Sequence, residues 1–272
     1  MRTDWALSLN LLREYVIKLS ESLRLSIRNG PLERYMNILF ACLCAAYGKV
    51  EFCEQISLNP LLEDPIRVGR AFIEAMSRLS RRGFTISGES ILYSIERAES
   101  VLKTYRKKPF IVLCDGLSLP EYTYLYDRFL RTARPDGLLY AINPGGMTKT
   151  YEYLTSILLG SRSEELTMKI VGELLEKRFK AAGFMVLREI DELVHKAHLE
   201  KFPRPYDMAV SLHKAVEEIA FKIGALSEDY CILVLSDHGY DVSIEEGECS
   251  PFHKFSGEGP CLSLFSAMLI IG

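Results

Sequence analysis

The apolar positions in the first part of the chain recur with a helical period. Between Leu7 and Leu19, leucine, valine and isoleucine side chains lie three and four positions apart, as on one face of an amphipathic helix. The segment Glu33–Tyr47 is apolar almost all round, which predicts a buried helix. Two more helices are predicted at Ala71–Leu79 and Glu89–Leu102. Because residues 1–105 contain no glycine-rich phosphate loop and no histidine, we expect a helical module for packing or interaction.

The pattern changes after the basic segment Arg106–Lys108. Short apolar runs, typical of strands buried on both faces, now alternate with helical segments. The predicted strands are Phe110–Cys114, Leu138–Ile142, Phe184–Leu187, Cys231–Leu235 and Leu264–Ile271. The predicted helices are Leu119–Arg131, Tyr151–Leu159 and Ala209–Ile223. This alternation favours an α/β fold in residues 106–272, with a mainly parallel sheet flanked by helices and preceded by the all-helical N-terminal module.

Composition and charge limit the classes of function. The 272 residues are 48% hydrophobic and 25% charged, which are ordinary values for a globular protein. A formal net charge of −3 gives no general attraction for nucleic acid, so a nucleic-acid partner is left possible only through a local basic patch. No stretch has the length and apolarity of a membrane span, and the first residues lack a signal-peptide pattern. We therefore expect a cytoplasmic protein without a membrane partner.

The seven cysteines include no CxxC pair. Cys42 and Cys44 lie in an apolar helical run, where spacing for a metal is poor and packing in the core is favoured. These features predict reduced thiols, in agreement with a reducing compartment. A pair between Cys249 and Cys261 is left open. The chain also ends within an apolar run, so one expectation is that it is part of a longer protein.

Polar residues follow the predicted strands at their carboxyl ends, where α/β sheets place their sites. Asp191 and His195, after the third strand, are four residues apart and therefore share one helix face. Carboxylate and imidazole groups are suited to a divalent metal ion. Six such residues occupy these positions: Asp115, Asp191, His195, Asp237, His238 and His253. Simpler interpretations are also open, with Asp237 as a helix cap in a solvated loop and the Asp191–His195 pair as a surface contact.

With these residues in place, the segment 106–272 resembles the alkaline phosphatase superfamily, in its PglZ-domain branch. The resemblance depends on Phe110–Gly116, the region of Thr150, Asp191–His195, Ser236–Gly239 and His253, in the expected chain order. It implies two divalent metal ions, commonly zinc and alternatively Mn2+, on either side of a Ser or Thr nucleophile. The first ion would be held by Asp115, Asp237 and His238. The second would be held by Asp191, His195 and His253.

The nucleophile implied by the resemblance is a threonine near the start of the helix after the second strand. In the phosphodiesterase branches this threonine precedes a helix-ending glycine by about ten residues, and Gly160 then points to Thr150. Thr148 is the rival, because the loop can bring it to the helix entrance. Either threonine can also serve only as a helix cap.

The resemblance implies a metal-dependent phosphohydrolase with a phosphate-ester substrate, either a phosphomonoester or a phosphodiester or nucleotide. A hydroxyl attacks phosphorus at neutral pH only when its alkoxide is stabilised, which a metal ion can do. The sulfatase motif C/S-x-P-x-R is missing, so sulfate esters are disfavoured. The alternative is a metal-stabilised binding or assembly module with little turnover, as PglZ-like domains are associated with defence and signalling systems. In that case the helical N-terminal module would bind a protein partner.

Overall fold

The N-terminal part of the chain is helical, as the sequence predicts. The computed structural model describes residues 2–25, 30–56, 59–81, 84–143, 168–253 and 261–272. Its first helices are α1 (Arg2–Leu25), α2 (Pro31–Tyr47), α3 (Val50–Glu54), α4 (Glu63–Ser80) and α5 (Phe84–Leu102). Helix α2 begins with a proline, whose fixed φ suits the first turn, and ends at Gly48, whose φ of +63° terminates the helix. The four predicted helices are confirmed, and the short α3 is an addition.

The remaining residues alternate between strands and helices. The elements are β1 (Pro109–Cys114), α6 (Leu119–Arg128), β2 (Ala133–Ile142), α7 (Met168–Phe179), β3 (Phe184–Leu187), α8 (Glu189–Leu199), α9 (Pro205–Ser227), β4 (Cys231–Ser236), β5 (Asp241–Glu245), β6 (Glu248–Phe252) and β7 (Phe265–Ile271). All five predicted strands are confirmed. Helix α7 and the β5–β6 hairpin were not predicted. The predicted helix at 151–159 lies outside the described residues.

The five long strands form one sheet in the order β2-β7-β4-β1-β3. Strand β1 pairs in parallel with β3 and β4, whereas β7 is antiparallel to β4 and β2. The sheet is therefore mixed: β1, β2, β3 and β4 point in one direction, in agreement with the expected mainly parallel sheet, and β7 alone among the five runs against them. Strand β7 is antiparallel because it starts at the end of the sheet where β2 and β4 finish, with Phe265 paired to Ile142. A parallel β7 would need a connection that crosses back to the opposite end of the sheet.

The helices α1 and α4 pack against the β2 and β7 side of the sheet through aromatic side chains. Tyr140 of β2 lies at the centre, with ring centroids 4.5 Å from Trp5, 4.9 Å from Phe72 and 5.9 Å from Phe265. Its hydroxyl donates to Ser8 Oγ at 2.7 Å. Buried residues on both sides of position 105 thus belong to one continuous apolar core. The division into residues 1–105 and 106–272 stays a prediction.

The cysteines differ in one respect from the expected set of reduced thiols. Cys44 and Cys53 form a disulfide between α2 and α3. The expectation of a free thiol at Cys44 was wrong, because the chain reversal at Gly48 brings Cys53 back to α2 and spacing alone does not show this. The other cysteines are buried free thiols, so Cys249 and Cys261 do not pair. Within the described part of the chain, no helix is long and apolar enough to cross a membrane.

Candidate metal centre

The first group of predicted ligands lies at the carboxyl ends of β1 and β4, two neighbouring parallel strands. Because Cys114 is in register with Ser236, the residues that follow, Asp115 and Asp237, lie side by side. The backbone N–H of Gly116 donates to Asp237 Oδ1 at 3.4 Å. Polar residues that are far apart in sequence are thus placed together by strand register alone.

Asp115, Asp237 and His238 form what we call the β1/β4 cluster. His238 Nε2 lies 3.5 Å from Asp115 Oδ1 and 3.5 Å from Asp237 Oδ2. The side chains of His238 and Asp237 are 2% and 0% exposed, and that of Asp115 is 14% exposed. Two carboxylates and an imidazole therefore converge in a largely buried space.

The tautomer of His238 follows from its other ring nitrogen. Nδ1 lies 2.9 Å from the carbonyl oxygen of Gly239, which can only accept, so Nδ1 carries a proton. The Nε2 atom then faces the two carboxylates, and its lone pair is repelled by them unless a cation lies between. A backbone carbonyl that fixes the ring of a histidine in this way is typical of metal ligands.

The pKa values of Asp237 and His238 also indicate that a positive charge stabilises this cluster. Burial raises the pKa of Asp237 to about 6, with Asp115 adding to this rise and His238 opposing it. Burial alone would lower the pKa of His238, but the carboxylates of Asp237 and Asp115 outweigh it and raise the pKa to about 9. A proton on His238 therefore satisfies the cluster when no other cation does.

The second group, which we call the α8/β6 cluster, consists of Asp191, His195 and His253. Asp191 lies in the first turn of α8, and His195 follows one turn later on the same face. Asp191 Oδ2 lies 3.5 Å from His195 Nε2, and Asp191 Oδ1 lies 3.3 Å from His253 Nε2. Burial raises the pKa of Asp191, but His253 and His195 outweigh it and hold the pKa below its ordinary value. Because the largely buried His253 also contacts Asp191, the Asp191–His195 pair is part of a three-residue cluster and not an isolated surface contact.

His253 reaches this cluster because the β5–β6 hairpin is tied to the end of α8. Ser250 Oγ donates to the carbonyl oxygen of Ala197 at 3.2 Å. Phe202 and Cys249 exchange two backbone hydrogen bonds of 2.8 and 2.7 Å. The histidine directly after β6 is thereby held against the first turn of α8.

The two clusters lie next to each other. The ring centroids of His238 and His253 are 5.1 Å apart. Gly116, directly after Asp115, has a φ of +73°, and a Cβ added there would lie 3.5 Å from the backbone of Asp191. The backbone at Gly116 thus lies against the start of α8, in a conformation that glycine adopts without strain.

The residues fit two divalent metal ions. In each cluster, one ligand atom per residue lies within 4.8 Å of the other two. Two buried atoms, Asp237 Oδ2 and His253 Nε2, form no well-aligned hydrogen bond among the described residues, and their nearest partners are His238 Nε2 at 3.5 Å and Asp191 Oδ1 at 3.3 Å. Poorly paired buried polar atoms are costly, and a metal ion in each cluster would pair them. Mixed oxygen and nitrogen donors are the set that Zn2+ and similar ions take in catalytic sites.

The two candidate nucleophiles, Thr148 and Thr150, lie outside the described residues. The described structure brings the six predicted metal ligands together in two groups of three. The choice between Thr150 and Thr148 as nucleophile stays a prediction.

Of the residues that support the site, Glu121 and Asp241 were not singled out from the sequence, whereas Gly239 was expected to let the chain turn after His238. Glu121 accepts from two buried tyrosine hydroxyls, and Asp241 accepts from Tyr47. Gly239 is required by close packing, since a Cβ there would lie 2.5 Å from the carbonyl oxygen of Leu262. One signal was available, because Ser118 and Glu121 form the capping box S-x-x-E at the start of α6.

Two comparisons with known sequences found no match. No protein-family model matches the chain, and no curated protein sequence matches it significantly. Inferences about function therefore depend on the geometry of the two clusters and on the chemistry of their residues.

Proposed function

We propose that this protein is a metal-dependent phosphohydrolase that acts on phosphomonoesters or on phosphodiesters and nucleotides. One observation carries the proposal. Six residues of metal-ligand type, spread over more than half of the chain, form two adjacent groups of three at one edge of the sheet. The groups divide as the resemblance to the alkaline phosphatase superfamily implies, which supports an alkaline-phosphatase-like core of the PglZ kind.

Asp115, Asp237 and His238 would hold one ion, and the α8/β6 cluster would hold the other. Zn2+ is the ion we favour, with Mn2+ as the alternative. Two adjacent divalent ions supply Lewis-acid stabilisation of the attacking and leaving oxygens in phosphoryl transfer. The carbonyl oxygen of Gly239 accepts from His238 Nδ1, so Nε2 faces Asp115 and Asp237 and would be the atom that binds the ion.

The substrate would reach the centre from the side of the α8/β6 cluster. The side chain of His195 is 64% exposed, whereas the ligands of the β1/β4 cluster are largely buried. The proposed nucleophile is the hydroxyl of Thr150, with Thr148 as the rival. It loses its proton and attacks phosphorus, the ester P–O bond breaks, and the leaving alcohol takes up a proton. Water then cleaves the bond between threonine and phosphorus, which releases phosphate from a monoester substrate or a phosphomonoester from a diester substrate.

A second function has one observation in its favour. The near-complete burial of Asp237 and His238 also suits a structural ion, which would make the domain a metal-stabilised binding or assembly module with little turnover. A protein partner would then bind the helical N-terminal segment.

The two functions are separated by hydrolysis of p-nitrophenyl phosphate and bis-p-nitrophenyl phosphate by the full chain, with Zn2+, Mn2+ or Mg2+ added in turn. We expect metal-dependent turnover that is lost in Asp237→Asn, and the preferred ester identifies the substrate class. Thr150→Ala and Thr148→Ala, compared under the same conditions, identify the nucleophile. Protein that binds two ions without hydrolysing either ester would contradict the phosphohydrolase and favour the binding module.

A further inference from the structure

Helix α2 sends two tyrosine hydroxyls toward the chain segment that follows His238. Tyr35, near the start of the helix, donates to Glu121 Oε1, which also accepts from Tyr240 at 2.6 Å. Tyr47, the last residue of the helix, donates to Asp241 Oδ1 at 2.6 Å. Tyr240 and Asp241 are the second and third residues after His238. We propose that α2 is a positioning element of the metal centre and holds the His238 loop in place through Tyr35–Glu121–Tyr240 and Tyr47–Asp241.

The first bridge is fully buried. Tyr35, Glu121 and Tyr240 are each 0% exposed, so none of their polar atoms has access to bulk water. The other carboxylate oxygen of Glu121 accepts from the backbone N–H of Ser118 at 3.2 Å, and Ser118 Oγ donates to the carbonyl oxygen of Tyr240 at 3.4 Å. Glu121 thus joins three pieces of chain, namely α2, the loop that follows Asp115, and the loop that follows His238.

Any movement of the loop after His238 would break the buried hydrogen bonds of Tyr240. The carbonyl oxygen of Gly239, between His238 and Tyr240, is the group that orients the imidazole. A shift of Tyr240 would move that carbonyl, and removal of the Tyr35 hydroxyl would take away one donor to a buried carboxylate. The hydrogen bond at Tyr35 therefore acts on His238 through its neighbours in the chain.

The second bridge connects α2 with the chain that leads into β7. Asp241 Oδ1 accepts from the backbone N–H of Leu262 at 2.7 Å, and Asp241 Oδ2 accepts from Cys261 Sγ at 2.7 Å. Tyr47 in turn accepts from the backbone N–H of Val242 at 3.2 Å. The carbonyl of the same Leu262 packs against Gly239. The end of α2 is therefore connected through Asp241 to Leu262, which packs against the His238 loop at Gly239.

The proposal gives the N-terminal helical segment a role in the site, and it rests on the proposed function in that the clusters must bind metal. Partners that orient a metal ligand without touching the ion contribute about 10- to 100-fold to metal affinity. We expect Tyr35→Phe and Tyr47→Phe each to weaken binding of one of two Co2+ ions by about 10-fold. Binding would be measured by competition with a chromophoric chelator and by the visible absorption of Co2+, neither of which requires turnover.

Tyr140→Phe is the matched control. Tyr140 is also fully buried, and its hydroxyl also joins a helix of the N-terminal segment to the sheet by donating to Ser8 Oγ of α1 at 2.7 Å, but this bond does not involve Glu121, Tyr240 or Asp241. It loses a buried hydroxyl, as the test variants do, and we expect it to bind both ions like the wild type. Thermal unfolding of all variants measures the common loss of stability.

The outcomes separate this proposal from the function on which it rests. Weaker Co2+ binding in Tyr35→Phe and Tyr47→Phe, with Tyr140→Phe unchanged, would support it, whether or not the wild type hydrolyses an ester. Wild-type binding in the two test variants, or equal weakening in Tyr140→Phe, would overturn it. If Tyr35→Phe does not fold, Tyr47→Phe decides alone, because its contact is only partly buried. A wild type that binds no Co2+ would overturn both proposals.

Discussion

The β1/β4 cluster and the α8/β6 cluster contain the same residue types but are built on different supports. Asp115, Asp237 and His238 follow two central strands, whose register fixes them, and they are largely buried. The α8/β6 cluster combines a helix start with the end of a hairpin, and His195 is 64% exposed. Rigid, buried ligands favour tight and permanent binding, whereas open ones favour exchange and contact with a substrate. We therefore expect the two ions to differ in affinity and in role.

Loss of Asp237 has the largest expected effect on this comparison. Asp237→Asn removes one of two carboxylates from a buried cluster and leaves His238 with a weaker partner. Breaking a buried charged pair costs about 3–5 kcal/mol, so we expect affinity for the β1/β4 ion to fall by more than about 100-fold. The measurement is metal content after dialysis against a weak chelator. Retention of two ions by Asp237→Asn would show that this cluster does not hold one.

The next effect concerns pH and the protein without metal. The pKa of His238 is raised from 6.5 to about 9, so its proton stabilises the fold below pH 6.5, and this stabilisation is lost as the pH rises through about 9. The raised pKa of Asp237 acts in the same direction at lower pH. We expect the free energy of unfolding of the metal-free protein to fall over this range, and the Zn2+-loaded protein to lack this decline. Urea unfolding with a chelator and with saturating Zn2+ measures both, and parallel pH profiles would argue against a shared cation site at His238.

A smaller effect is expected at the open cluster. His195→Ala removes an exposed proposed ligand, so we expect about a 100-fold loss of affinity for the α8/β6 ion, at the upper end of what loss of a partner that only orients a ligand costs; the loss stays below that of Asp237→Asn because water can take the vacant position. The β1/β4 ion should stay bound. Titration with Zn2+ monitored by calorimetry resolves the two sites, and simultaneous loss of both ions would show that the clusters act as a single site.

The smallest effect concerns the backbone between the clusters. Gly116→Ala places a side chain at a φ of +73°, which costs about 1–2 kcal/mol of stability. Gly247→Ala, at a φ of +88° in the β5–β6 turn with nothing within 4 Å of an added Cβ, is the matched control. We expect similar losses in thermal stability but weaker metal binding only in Gly116→Ala. Equal metal binding in both variants would mean that this backbone does not set the spacing of the clusters.

The parts of this structure that the sequence predicts are those determined locally. An apolar run such as Cys231–Leu235 forms a buried strand, and a polar residue directly after the strand, such as Asp237 after β4, lies at the carboxyl end of the sheet. The direction of β7 was not predictable in this way, because it depends on which edge the chain returns to. The same holds for Glu121, since its hydrogen bonds to Tyr35 and Tyr240 join residues that are far apart in sequence.

The central claim is that the two clusters form one two-metal centre for phosphate-ester hydrolysis. The most direct measurement is the rate of bis-p-nitrophenyl phosphate and p-nitrophenyl phosphate hydrolysis as metal-free protein is titrated with Zn2+, with bound metal determined at each step. We predict little turnover at one bound ion per chain and a rise to full activity as the second ion binds. Full activity at one ion, or no turnover of either ester at two, would contradict the claim.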